Sequence, residues 1–151
     1  MIDTHDYRVE LVGTSDKTGL LTASDDGLPE MVVASPPEFG GPVGTWSPEH
    51  LFVASVATCL MTTFRSIAEH SGLDVVEYRG NAIGHLRRSE DGLYEIAEVT
   101  LRPEVTVSSD RLVARAQRLL EKAERACLIS RSIKAKVTME PRVLQAHQVG
   151  T

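Results

Sequence analysis

The sequence predicts a single α+β domain over residues 1–151, with antiparallel strands around a long central helix and a second helix, in the order βββ-α-ββ-α-β. Three observations support this class. Residues 47–73 have the length, apolar content and caps of a long helix, and residues 109–132 are read as a second helix. The strand candidates on either side alternate apolar and polar residues, as half-buried strands do.

The N-terminal segment, residues 1–46, is expected to hold three short strands and an irregular loop. Apolar residues alternate with charged ones around Tyr7 to Leu11, and Asp25-Asp26-Gly27 is a turn signal between two strand-like stretches. The stretch SPPEFGGPVGTW, residues 35–46, contains three prolines and three glycines, which exclude regular structure. Irregular loops of about a dozen residues are often functional.

The central helix, residues 47–73, has recognisable ends. Ser47 suits the N-cap, Pro48 the first helical position and Glu49 the positive end of the helix dipole. Gly72 followed by Leu73 is typical of a left-handed helix stop with its hydrophobic contact. Apolar residues lie nearly all round this helix, which predicts that it is buried.

The C-terminal half is expected to contain a hairpin over residues 74–108, the second helix and a last strand over residues 133–143. In the second hairpin strand, strict alternation predicts one packed face, and Pro103 is expected at a sheet edge or bulge. The amphipathic part of the second helix carries a basic stripe that we interpret as a solvated face, although it could contact an acidic partner. The stripe consists of Arg111, Arg115, Arg118, Lys122 and Arg125.

Composition narrows the function classes. The net charge of −5 argues against nucleic-acid binding, because phosphate contacts need a basic surface. No apolar run reaches the roughly 18 residues that cross a bilayer, and the N-terminal MIDTHDYRVE lacks a signal-peptide core. A cytoplasmic protein without membrane contact is therefore expected. The five histidines show no metal spacing and no phosphate loop occurs, so neither a metal nor a cofactor is expected.

Two cysteines carry the candidate chemistry. In the cytosol a two-cysteine protein is more often catalytic, redox-active or reduced than stapled by a disulfide. Cys59 lies about three turns into the central helix, so a reactive thiol there needs a cation or hydrogen-bond donors from elsewhere. Cys127 lies on the core side of the second helix. Each could also be only a small buried apolar residue. Hydroxyl side chains near Cys59 offer donors: Ser55, Thr62, Thr63 and Ser66.

Glu49 precedes Cys59 by ten residues, which is about 15 Å of axial rise on one helix. Its carboxylate therefore cannot reach the sulfur of its own helix. Either a second subunit brings Glu49 to the thiol, or Glu49 is only a charge in the first turn.

Two segments match a known family. The first runs through Gly44-Thr45, Ser47-Pro48-Glu49-His50-Leu51-Phe52 and Ala57-Thr58-Cys59, and the second is Cys127-Leu128-Ile129-Ser130. They resemble the G-T-N-P-E-x-L…A-C-F segment and the C-P-x-S motif of the OsmC/Ohr family, the osmotically induced and organic-hydroperoxide-resistance proteins. The Glu-to-Cys spacing and the element order agree as well.

The resemblance implies an intertwined homodimer with active sites at the subunit interface, and a peroxidase that reduces organic hydroperoxides in oxidative stress defence. Cys59 would be the peroxidatic thiolate and Cys127 the resolving thiol that forms a disulfide with it. An external dithiol or lipoylated reductant would reopen that disulfide. Glu49 would orient the family's arginine.

This sequence departs from the family at the arginine. The two positions where the family places it hold Lys17 and Glu38 here, and Leu128 replaces the proline of the second motif. Lys17, Arg65 and Arg131 are the candidate substitutes, although a lysine cannot make the two-pronged contact of a guanidinium. The missing arginine leaves open an alternative: a non-enzymatic small-ligand binder or redox sensor.

Overall fold

The computed structural model describes residues 3–14, 16–23 and 27–147. The elements in these residues are β1 Glu10–Gly13, β2 Thr18–Thr22, β3 Met31–Ala34, α1 Pro48–His70, β4 Val75–Arg88, β5 Tyr94–Val107, α2 Val113–Ala126, α3 Leu128–Arg131, β6 Lys136–Met139 and β7 Arg142–Gln145. They confirm the predicted α+β class. The chain divides into two compact units, Met1–Leu51 and Phe52–Thr151, which are described separately. The expectation of a single domain stays a prediction.

The first unit contains an antiparallel sheet in the order β1-β2-β3. Of the predicted turn Asp25-Asp26-Gly27, the two aspartates lie outside the described residues. The loop over residues 35–46 is irregular as predicted, apart from one 3₁₀ turn at Pro37–Phe39. Its end is anchored to the sheet, because the Ala34 backbone N–H donates to the Trp46 carbonyl at 3.0 Å.

Both predicted caps of α1 are confirmed. The His50 backbone N–H donates to Ser47 Oγ at 3.1 Å, which satisfies one free donor at the start of the helix. At the other end Gly72 has a φ of 66°. The Leu73 N–H donates to the Ala68 carbonyl and the Gly72 N–H to the Glu69 carbonyl, at 2.9 and 3.1 Å. This is the Schellman arrangement that a glycine at this position permits.

One stripe of α1 enters the core of the second unit. Its buried residues recur every fourth position, which places them on one side of the helix: Val56, Leu60, Phe64 and Ala68. They pack in one cluster with alternate residues of β5, namely Val99, Leu101, Val105 and Val107, and with Ala116, Leu120 and Ala123 of α2. The other apolar positions of α1 are half-buried or exposed within this chain, so burial follows a single stripe.

The expectation that no segment could cross a membrane is wrong as stated. The 23-residue α1 is long and apolar enough to do so by length and composition. Serines and threonines interrupt the apolar run of α1, but its mean hydropathy remains high enough for a membrane-spanning helix. A core helix passes the same test, and α1 carries the buried stripe of the second unit.

The second unit is built on β5. This strand pairs with β4 in a long antiparallel hairpin, and on its other side with β6 and then β7, both parallel to it. Two strands thus replace the single strand predicted over residues 133–143, because Pro141 interrupts the ladder between them. Pro103, expected at an edge or bulge, lies inside the central strand at the interval between the β6 and β7 pairings.

Candidate active site

Cys59 lies on α1, away from the buried stripe, and is half-buried. One helical turn later, the Thr63 hydroxyl oxygen is 3.8 Å from the Cys59 sulfur. Of the four hydroxyl residues expected to face Cys59, Thr63 is therefore one that contacts the thiol. The Ser55 and Thr62 hydroxyls instead donate to backbone carbonyls of their own helix, those of Phe52 and Cys59.

Cys127 lies at a break between two helices that the sequence analysis did not predict. The predicted helix over residues 109–132 is divided into a 3₁₀ turn, α2 and α3, and Cys127 joins α2 to α3 with an extended backbone, φ −61° and ψ 115°. Its side chain is 0% exposed. Since α3 starts directly after Cys127, its first backbone N–H groups have no intrahelical acceptor.

The structure brings the two cysteines together as free thiols. Burial tends to raise the pKa of Cys59, but hydrogen bonds outweigh it and the net direction is downward. The donors are, in order of effect, the Cys127 thiol, the Ile129 backbone N–H, the Thr63 hydroxyl and the Leu128 backbone N–H. Each of them stabilises the thiolate form, the nucleophile in thiol chemistry.

The pKa of Cys127 moves the other way. Burial raises it, and its hydrogen bond to Cys59 raises it further because that bond requires the Cys127 proton. The Ser130 hydroxyl and backbone N–H oppose this rise. The pair is thus polarised: the pKa of the partly accessible Cys59 is lowered, and the pKa of the buried Cys127 is raised.

Glu49 lies in the first turn of α1, in the first of the two units. Its Oε2 atom is buried and has no hydrogen-bond partner among the described residues. A carboxylate oxygen that is shielded from water and accepts no hydrogen bond carries a desolvation cost in free energy. We therefore expect a cationic or N–H partner for this atom.

The three candidate substitutes for the arginine lie at separate places. Lys17 is exposed in the turn between β1 and β2, where it has a φ of 70°. Arg65 is an exposed residue of α1 that acts on Tyr78: burial raises the Tyr78 pKa to about 12, and the Arg65 charge opposes the rise. Arg131 is exposed at the end of α3. The donors to Cys59 described above are a thiol, a hydroxyl and two amides.

Sequence reasoning missed the amides of Leu128 and Ile129, because it extended one helix across Cys127. A usable signal existed in the motif itself. The proline that follows the cysteine in C-P-x-S favours the first position of a new helix, and this would have placed a helix start here.

Comparison with known proteins comes to the same fold. The family model described as "OsmC-like protein" matches residues 40–142. The uncharacterized protein YmaD of Bacillus subtilis is 28% identical over 132 residues, which is 85% of this chain and 81% of that protein. An OsmC-like protein of unknown function from Vibrio cholerae superposes with a TM-score of 0.81 at 24% identity, covering 91% of this chain and 99% of that one. For an organic hydroperoxide resistance protein OsmC from Legionella pneumophila the TM-score is 0.75 at 23% identity, with coverage of 95% and 99%.

Replacing Leu128 by proline tests the amide donors. Proline removes only the N–H at a position that suits it, since Cys127 already has the extended backbone that precedes proline. The Leu128 side chain is 66% exposed, so its loss costs little packing. We expect the Cys59 pKa to rise in Leu128→Pro, measured as the pH dependence of iodoacetamide alkylation at Cys59. Leu128→Ala keeps the N–H and is the control; equal pKa values in the two variants would contradict the assignment.

The same asymmetry predicts the order of alkylation. Cys59 combines partial exposure with a lowered pKa, whereas Cys127 is buried with a raised one. At neutral pH, we expect iodoacetamide to modify Cys59 at least tenfold faster than Cys127, since only the thiolate reacts. Peptide mass spectrometry of a time course measures both rates, and comparable rates at the two sites would refute the polarised pair.

Proposed function

This chain belongs to the OsmC-like family, and from that membership we propose that it is a peroxidase that reduces organic hydroperoxides with Cys59 and Cys127. Membership in the OsmC/Ohr family points to a peroxidase-like or stress-related role. The observation that carries the finer proposal is the thiol pair: the two thiols interact, and the interaction lowers the pKa of Cys59 and raises that of Cys127.

The proposed reaction has three steps. The Cys59 thiolate attacks one peroxide oxygen, the O–O bond breaks, and the alkoxide takes a proton and leaves as the alcohol, so that Cys59 becomes a sulfenic acid. Cys127 then attacks the Cys59 sulfur, forming the disulfide and releasing water. Finally an external dithiol, free or on a lipoylated protein, reduces the disulfide and is itself oxidised to a disulfide.

We propose that amides and a hydroxyl take over part of the arginine's role at Cys59. The family motif has a proline after the second cysteine and so no N–H there, whereas Leu128 supplies one. Thr63 and Ile129 add two further donors. Hydrogen bonds to a charged group are worth about 1.5–3 kcal/mol each, so a few of them compensate for a missing cation.

We further propose a homodimer in which Glu49 of the partner subunit lies beside Cys59. Two observations support it: the unpartnered Glu49 Oε2 atom, and the ten-residue helical spacing that keeps Glu49 from the thiol of its own helix. Large apolar side chains of the first unit that are at least half exposed suit such an interface, and Leu11, Val12, Val32 and Trp46 are among them.

Hydroperoxide consumption tests the activity. With cumene hydroperoxide and dithiothreitol or dihydrolipoate, we expect turnover by the wild-type protein and a loss of at least a hundredfold in Cys59→Ser, because a hydroxyl is not ionised at neutral pH. In Cys127→Ser, the sulfenic acid on Cys59 should persist long enough for dimedone to trap it.

Equal consumption by wild type and Cys59→Ser would refute the peroxidase. In that case ligand-induced thermal shifts that persist after mutation of both cysteines would favour the alternative, a ligand-binding protein.

Mixed dimers test the placement of Glu49. If the site combines Cys59 of one subunit with Glu49 of the other, a dimer of one Cys59→Ser subunit and one Glu49→Gln subunit keeps one intact site. We expect such dimers, purified with two affinity tags, to show about half the wild-type activity, while both parent homodimers are impaired. Mixed dimers that are no more active than Glu49→Gln homodimers would show that Glu49 does not act across the interface.

A further inference from the structure

Ser130 carries a buried hydroxyl near Cys127 that forms no complete hydrogen bond with the described residues of the reduced protein. Its Oγ atom is buried and has no hydrogen-bond partner among the described residues. Ser130 follows Cys127 by three residues across the start of α3, so both lie on the same side of that turn. A buried hydroxyl without a partner carries a desolvation cost, which suggests that its partner forms in another state of the protein.

The accessibility of the two sulfurs decides how a Cys59–Cys127 disulfide would be opened. Cys127 is 0% exposed, whereas Cys59 is half-buried and can be reached from solvent. An external thiolate therefore attacks Cys59, and the sulfur that must leave with the electron pair is Cys127. Thiol–disulfide exchange is faster when the leaving thiolate is stabilised, and burial disfavours a thiolate at Cys127.

We propose that Ser130 is the hydrogen-bond donor to the Cys127 sulfur when it leaves the disulfide as a thiolate. This inference rests on the proposed disulfide cycle and assigns Ser130 to its reductive half. The Ser130 hydroxyl and N–H already oppose the rise of the Cys127 pKa, so Ser130 lies near this sulfur although its Oγ atom completes no hydrogen bond within the described part of the reduced protein.

The proposed reduction begins at the Cys59 sulfur. One thiolate of an external dithiol attacks the Cys59 sulfur, the Cys59–Cys127 bond breaks, and its electron pair goes to Cys127, which accepts a hydrogen bond from Ser130 Oγ. The second thiolate of the dithiol then attacks the dithiol sulfur that is bonded to Cys59. The mixed disulfide breaks and Cys59 is released as a thiolate. The dithiol leaves as its disulfide, and Cys127 recovers a proton from water.

The test separates the two halves of the cycle. Diamide forms the disulfide without any hydroperoxide, and the rate of its reduction by dithiothreitol is then followed by stopped flow. We expect Ser130→Ala to slow this reduction by about tenfold, as loss of one hydrogen bond to a charged group does. The rate at which the reduced protein consumes hydroperoxide in a single turnover should remain within twofold of wild type.

Two matched variants control for packing. Ser130→Thr keeps the hydroxyl and should restore most of the reduction rate. Ser132→Ala removes the hydroxyl that donates to the Leu128 carbonyl at 2.7 Å in the same turn, and should leave the reduction rate unchanged. In a Cys59→Ser background, Ser130→Ala should also raise the Cys127 pKa, which a purely structural role would not do.

An unchanged reduction rate in Ser130→Ala, an equal slowing of both half-reactions, or failure of diamide to form the disulfide would each overturn the inference. The outcome is independent of the peroxidase proposal. A protein that ignores hydroperoxides but shows the Ser130 effect on diamide-formed disulfide would refute only the peroxidase.

Discussion

The candidate site depends on one constraint, the interruption between α2 and α3 at Cys127. If the helix ran on through this residue, the amides of Leu128 and Ile129 would face the carbonyls of the preceding turn, and they would not be free to donate to Cys59. The extended backbone of Cys127 frees these donors and presents the thiol at the same point. A single change of backbone direction therefore supplies three of the four donors found for the Cys59 sulfur among the described residues.

This arrangement resolves a conflict that a buried thiol normally faces. Burial protects a sulfur from unwanted partners but favours the neutral form, which does not react. Here Cys59 keeps partial exposure and has a lowered pKa, while Cys127 takes the fully buried position and has a raised pKa. The two thiols differ in environment rather than in chemistry, and in the proposed cycle this difference makes Cys59 react first and Cys127 second.

The sequence was sufficient for the elements whose signals are local. The caps of α1, the alternation in β5 and the glycine stop at Gly72 each depend on a few adjacent residues, and all are present. The break at Cys127 was missed because Cys127 follows Val113 and Leu120 at seven-residue spacing, in register with the apolar side of α2, and because Leu128 is compatible with a helix. Pro103 was expected at an edge or a bulge, but it lies inside β5, because the partner strand changes from β6 to β7 at this point. That change depends on Pro141, almost forty residues later. The partner of Glu49 cannot be predicted from the sequence of one chain, because the ten-residue spacing shows only that the Glu49 carboxylate does not reach the Cys59 thiol of its own helix.

The use of main-chain amides at Cys59 has a consequence for how the site tolerates change. An arginine can be lost through one substitution, and its influence weakens as ionic strength rises. An amide carries no net charge and belongs to every residue except proline, so most exchanges at Leu128 or Ile129 leave the donor in place. The donors that lower the Cys59 pKa therefore depend on the course of the backbone, which changes far more slowly during evolution than side chains do.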